Sequence, residues 1–177
     1  MNALKEAALQ YAAMGYYVVP LWPKGKLPMQ NLRNTAPSTV AEQICRWWEL
    51  CPNANIGLPT DNRFNALIVL DLDVGQGVDG SRTVMQLCQE RGLVLPDTAV
   101  AQSGSGGYHV YYRNPERLPI PGGKNLFPGI DVRAEGAHIV APPSIHSSGA
   151  AYKWIRKNET QIAPVNKAVL QLLDFCR

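Results

Sequence analysis

Ala66-Leu67-Ile68-Val69-Leu70-Asp71-Leu72-Asp73 decides the reading of this chain. Its apolar, branched part predicts a strand buried on both faces. The carboxyl end of that strand carries two acids, and buried carboxylates are costly unless something cationic meets them. Side chains two apart on a strand point the same way, so Asp71 and Asp73 converge. A divalent metal is the usual remedy for like charges brought so close. The competing reading is an acidic strand end left to solvent.

Outward from this strand, helices and strands alternate at first. Ala3 to Met14 reads as a helix stopped by Gly15, and Tyr16 to Leu21 as a short strand. Trp22 to Pro28, with two prolines and a glycine, is a loop. A second helix is expected from Thr39, where Thr39-x-x-Glu42 has the form of a capping box, and it ends before Pro52. Trp47 and Trp48 sit on it as core anchors. Ser81 to Arg91 is a third helix, closed by Gly92.

The second half reads as hairpins. Ala99 to Gln102 and Tyr108 to Arg113 flank the turn Ser103-Gly104-Ser105-Gly106-Gly107. Pro115 to Pro128 reads as a surface loop. Ile130 to Arg133 and His138 to Ala141 read as two strands of one hairpin through Glu135-Gly136. Tyr152 to Ile155 is a further strand, and Asn166 to Cys176 an apolar helix. The fold class expected is α+β around an antiparallel or mixed sheet, in a single domain over residues 1–177.

Composition narrows the class. The apolar share of 46% and charged share of 18% are those of a soluble globular protein. No apolar run approaches a membrane span, and the first residues lack a signal-peptide pattern. The expectation is a cytoplasmic protein with no membrane partner. Cys45, Cys51, Cys88 and Cys176 form no C-x-x-C pair, so free thiols and no zinc are expected. A net charge of +3 is compatible with a polyanionic partner without arguing for one.

Asp131 is the natural third ligand beside Asp71 and Asp73. In Gly129-Ile130-Asp131-Val132-Arg133, Ile130 and Val132 take one face, and Asp131 and Arg133 the other. Such a pair can serve a metal and a phosphate together, or simply pair with each other. The oxygen donors suit Mg2+ or Mn2+. The glycine-rich turn leads into a strand rather than a helix, which excludes a Rossmann fingerprint. It is either a hairpin connection or a backbone cradle for phosphate. His109 shares a face with Tyr111 and Arg113 and is a phosphate donor or a structural histidine. Lys24 and Lys26 are weaker phosphate candidates, and His138 reads as structural.

These residues, in this order, resemble a known family. Gly25-Lys26-Leu27-Pro28, Trp47-Trp48, Pro52-Asn53-Ala54-Asn55-Ile56-Gly57 and Val69-Leu70-Asp71-Leu72-Asp73 come first. Ser103 to His109, Gly129 to Arg133, Gly136 and Ala141-Pro142-Pro143-Ser144-Ile145-His146 follow, then Gly149, Tyr152 and Trp154. Together they resemble the N-terminal domain of bifunctional DNA primase–polymerases of the archaeo-eukaryotic primase superfamily, over nearly the whole chain.

The resemblance implies an αβ unit joined to an RRM-like unit, with the site in the cleft between them. It implies template-directed nucleotidyl transfer, in primer synthesis or extension, for a plasmid, phage or mobile element. Asp71, Asp73 and Asp131 would hold two divalent ions, Mg2+ or Mn2+. His109 would meet the phosphates of the incoming nucleotide. Ser103, Gly104, Gly107, Arg133, Ser144 and His146 would complete the nucleotide site. The family's second motif often carries Ser-x-His, whereas Gly107 precedes Tyr108-His109 here; Ser103 or Ser105 would have to compensate. The implied partners are a single-stranded DNA template, dNTP or NTP, and a helicase or primase-associated helical domain in the same or a neighbouring polypeptide. Two other readings stay open: a non-catalytic nucleic-acid-binding relict of this fold, and a metal-dependent nucleotide-sugar transferase using Asp-x-Asp.

Overall fold

The computed structural model describes residues 2–30, 32 and 35–174. The chain opens with helix α1 (Ala3–Ala13), whose first amides are capped by the Asn2 side chain. Strand β1 (Val19–Leu21), helix α2 (Ala41–Leu50), β2 (Asn55–Pro59) and β3 (Leu67–Leu72) follow. A small hairpin, β4 (Val74–Gly75) and β5 (Val78–Asp79), leads into α3 (Gly80–Arg91). Then come β6 (Val100–Gln102), β7 (Tyr108–Arg113), β8 (Gly123–Phe127), β9 (Ile130–Arg133), β10 (His138–Ala141) and β11 (Lys153–Arg156). A 3-10 turn, β12 (Ala163–Pro164) and α4 (Lys167–Leu172) end the described chain.

Two sheets result. The smaller is antiparallel, in the order β1-β2-β10. The larger runs β11-β6-β7-β3-β9-β8, with β12 added in parallel beside the end of β7. This is the mixed α+β architecture expected. β3 lies near its middle, and its side chains alternate between two cores. Ile68, Leu70 and Leu72 pack with Ile130, Val132 and Tyr112 under α3 and α4. Leu67 and Val69 pack with Tyr111 against Trp47, Trp48, Ile56, Leu58 and Ile139, which belong to α2 and the smaller sheet. The second face stays apolar only as far as the smaller sheet covers it. Beyond Val69 it carries Asp71, and a cleft opens there between the two sheets.

Four expectations are corrected. β9 and β10 are not a hairpin: β9 pairs with β3 and β8, whereas β10 pairs with β2 in the other sheet. The crossing segment is held by Thr60, whose hydroxyl donates to the Ala134 carbonyl and whose amide donates to the Ala137 carbonyl. The Pro115–Pro128 stretch is not all loop, since β8 lies within it. Asn55–Pro59, unassigned from sequence, is a fully buried strand. Finally, α2 begins at Ala41 after Val40 without a side-chain cap, so the Thr39/Glu42 box does not form. The C-terminal helix is also shorter than expected, and its last expected residues, with Cys176, lie outside the described chain.

Candidate active site

Three strands bring three expected residues onto one rung. In the register of the larger sheet, Asp71 of β3 lies opposite His109 of β7 on one side and Asp131 of β9 on the other. All three side chains fall on the face turned to the cleft. Asp73 follows the end of β3 and is exposed, near enough to Asp71 and Asp131 for their charges to act on its carboxyl. Its backbone is pinned from both sides, its amide donating to the Gly129 carbonyl and its carbonyl accepting from the Gly80 amide.

The acids are charged and partly buried. Arg133 donates from Nη2 to Asp71 Oδ2 at 3.0 Å and to Asp131 Oδ2 at 2.9 Å, spanning the pair. The Asn125 amide, from β8, donates to Asp131 Oδ1 at 2.8 Å. His109 Nε2 faces Asp71 Oδ1 at 3.4 Å, and its buried Nδ1 has no hydrogen-bond partner among the described residues. Burial works against charge on Asp71, but His109 and Arg133 outweigh it and draw the carboxyl down to about 2. Asp73 shifts the other way, raised by desolvation and then by the charges of Asp71 and Asp131.

The Asp71 shift makes a stability prediction for the metal-free protein. A depressed carboxyl stabilises the fold above its unfolded value near 3.8 and loses that contribution as pH falls towards 2. Asp71→Asn should therefore cost about 2 kcal/mol near neutrality. Chemical denaturation at stepped pH should show the gap to wild type closing between about pH 4 and pH 2.

The cleft has a volume of about 380 Å³, in the range of small-ligand sites. Lys26, Lys124 and Arg133 make it cationic, Asp71 and His109 form its back, and Gly136 to Val140 form another wall. Tyr152 closes one side, its ring centroid 5.6 Å from that of His109. A second space of about 600 Å³ is lined by Asp73, Gln76, Ser105 and Asn125.

A family model for the bifunctional DNA primase/polymerase N-terminal domain, Prim-Pol, matches residues 8–168. The chain belongs to this family. Membership places it among the primase–polymerase nucleotidyltransferases. No curated protein matches the chain. One solved structure similar to it is the polymerase domain of Ligase D from Mycobacterium tuberculosis in complex with DNA. That match has 19% identity and a TM-score of 0.39, covering 84% of this chain and 80% of that one.

The remaining expected residues of this Prim-Pol domain take distinct places. Ser144 is fully buried, and its hydroxyl accepts from the Ile56 amide at 2.8 Å, so it fastens the 142–149 segment to β2 rather than facing the cleft. His146 Nδ1 is engaged by Ser148, 3.0 Å from its hydroxyl, and Ser148 in turn donates to the Gly104 carbonyl. Gly104 packs directly on the His146 Cβ, and Gly107 on the Leu72 carbonyl, so both glycines are required by close approach. Ser103 and Ser105 share a hydrogen bond of 2.9 Å at the mouth of the turn.

Sequence reasoning missed Lys124 and Asn125, because β8 read as loop, and Tyr152 as a cleft residue. It also missed Asn55, which is fully buried and donates to the Gly25 and Ile145 carbonyls, tying two cleft loops together. His138, read as structural, lines the cleft wall with its Nε2 2.7 Å from the Lys26 carbonyl.

Asp71, Asp73 and Asp131 offer the hard oxygen donors that Mg2+ or Mn2+ takes. Among the described residues no three His, Cys, Asp or Glu side chains stand close enough together to hold an ion. Arg133 bridges Asp71 and Asp131 and supplies their positive charge. The donor chemistry fits a divalent ion, and seating one requires Arg133 to give up these two contacts.

Proposed function

We propose that this Prim-Pol domain performs template-directed nucleotidyl transfer, extending or starting primers on single-stranded DNA in the replication of a plasmid, phage or mobile element. The observation that carries the reading is the single rung His109–Asp71–Asp131, with Asp73 just beyond the end of the same strand. Asp71, Asp73 and Asp131 would hold two divalent ions. When bound, these supply Lewis acidity to the attacking 3′-hydroxyl and neutralise charge on the departing pyrophosphate.

The chain's own groups do the positioning. The cationic cleft takes the triphosphate, with Lys26 and Lys124 on its walls as counter-charges. Arg133 moves from the carboxylates to the phosphates, exchanging one set of anionic oxygens for another. His109 stands where it can donate to a phosphate oxygen while packed against Tyr152. The open space beyond Asp73 receives the 3′ end of the growing strand. The 3′-oxygen would then approach the α-phosphorus from the face opposite the departing pyrophosphate, as in-line displacement requires, with its proton lost to solvent. The 3′-O–P bond forms as the P–O bond to pyrophosphate breaks.

His109→Ala should raise the nucleotide KM several-fold with a smaller effect on kcat, measured by steady-state incorporation. An unchanged KM would remove His109 from the nucleotide site. The reading as a whole is tested by calorimetry with a dNTP in the presence and absence of Mn2+. Binding that requires the metal supports it, whereas none in either condition favours a relict that only holds nucleic acid. Metal-dependent hydrolysis of a UDP-sugar, without dNTP incorporation, would favour the sugar transferase. The partner helicase or helical domain is proposed on the family resemblance alone.

A further inference from the structure

Trp22 and Leu27 are exposed apolar side chains on a turn beside the cleft, and the reaction above uses neither. Trp22 is 44% exposed, and Leu27, across the turn from it, is 71% exposed. Large apolar side chains left in water beside a polar site mark a contact surface. The turn that carries them is not loose. The Trp22 amide donates to the Leu27 carbonyl at 2.9 Å, and the Gly25 amide to the Trp22 carbonyl at 2.8 Å. Buried Asn55 donates to the Gly25 carbonyl, and His138 holds the Lys26 carbonyl. Gly25 lets the turn close on itself, since a Cβ there would crowd Trp22. The result is a preorganised turn backbone that presents an exposed aromatic side chain, with Lys24 and Lys26 following it. Lys26 and Leu27 also line the cleft that holds Asp71 and His109, so the turn is continuous with the site.

We propose that the Trp22–Pro28 turn is a platform for single-stranded nucleic acid, with Trp22 stacking on a base and Lys24 meeting the adjoining phosphate. This rests on the template-directed reading and adds to it the surface that grips the strand. An exposed aromatic ring on a fixed turn, beside lysines, is the combination that sequence-tolerant strand binding uses. The cationic rim argues against a plain apolar protein contact, and its continuity with the cleft leads the strand to the acids.

The test uses the full chain, a short labelled oligothymidylate, fluorescence anisotropy and tryptophan emission. Trp22→Ala should weaken oligonucleotide binding by about tenfold or more at fixed salt. Trp22→Phe should keep most of the affinity yet lose most of the oligonucleotide-induced quench, since Trp47 and Trp48 are buried and Trp154 is half-buried against Tyr111. Lys24→Ala should lower the slope of log affinity against log salt by about one unit. Mn2+-dependent dNTP binding should be unchanged in Trp22→Ala, which separates this inference from the function reading. Wild-type affinity in Trp22→Ala overturns the proposal and leaves the turn to another partner. So does an equal loss in Trp22→Phe, which would make the ring a packing element.

Discussion

Asp73→Asn is expected to abolish nucleotide incorporation while leaving the metal-free protein at least as stable as before. The two effects part because of where Asp73 stands. Its side chain is exposed and accepts no hydrogen bond among the described residues, so little packing is lost. Its charge is disfavoured, first by desolvation and then by the charges of Asp71 and Asp131. An acid whose folded value is raised destabilises the fold once ionised, and the amide removes that repulsion. The chemistry needs the charge that stability does not. Losing one electrostatic anchor of a phosphoryl-transfer site costs about 10²–10³-fold or more in rate. Primer extension and thermal unfolding on the same preparation check both halves. Near-wild-type incorporation would remove Asp73 from the site, and a clear fall in Tm would mean its carboxylate has a structural role.

Gly80→Ala is expected to be among the most damaging single-methyl additions in the chain. A Cβ at Gly80 would land on the Gly129 carbonyl, with the Leu72 Cα 3.1 Å away. Both obstacles are backbone, and the Gly129 carbonyl is the acceptor that holds the Asp73 amide. The methyl therefore pushes apart the β3 and β9 ends that set the spacing of the acids. Overpacking of this kind costs about 2–3 kcal/mol. That is a fall of roughly 5–10 °C in Tm for a domain of this size. Activity should fall as well, through displacement of Asp73. Gly123→Ala is the control, because no atom lies within 4 Å of its added methyl. If Gly80→Ala melts like Gly123→Ala, the close backbone approach does not govern the site.

The candidate residues that meet on one rung were more legible than the strand pairing that brings them there. Asp71, Asp73, His109 and Asp131 stood out because their type conflicts with their surroundings: acids and an imidazole on otherwise apolar strands. Alternation along β9 correctly separated Ile130 and Val132 from Asp131 and Arg133. What sequence could not show was partnership. Ile130–Arg133 and His138–Ala141 looked like a hairpin because they are close in the chain. Their partners are set instead by Thr60 and by β2, some 75 residues earlier in the chain. β2 itself was hidden by Asn55, Gly57 and Pro59, which strands usually avoid. β8 was hidden by exposure, since an edge strand needs no apolar pattern. Ser144 illustrates the same limit at one residue. A serine in a motif reads equally well as a ligand contact or a buried clamp, and only the Ile56 amide beside it decides.

The most direct measurement is incorporation of labelled dNTP and NTP on primed and unprimed single strands, with Mg2+ and Mn2+ in parallel, by the wild-type chain and Asp71→Asn. The account predicts template-dependent product that requires a divalent ion and disappears in the variant, which should remain folded near neutral pH. Product of equal yield from Asp71→Asn, or none from the folded wild type with either metal, would contradict it.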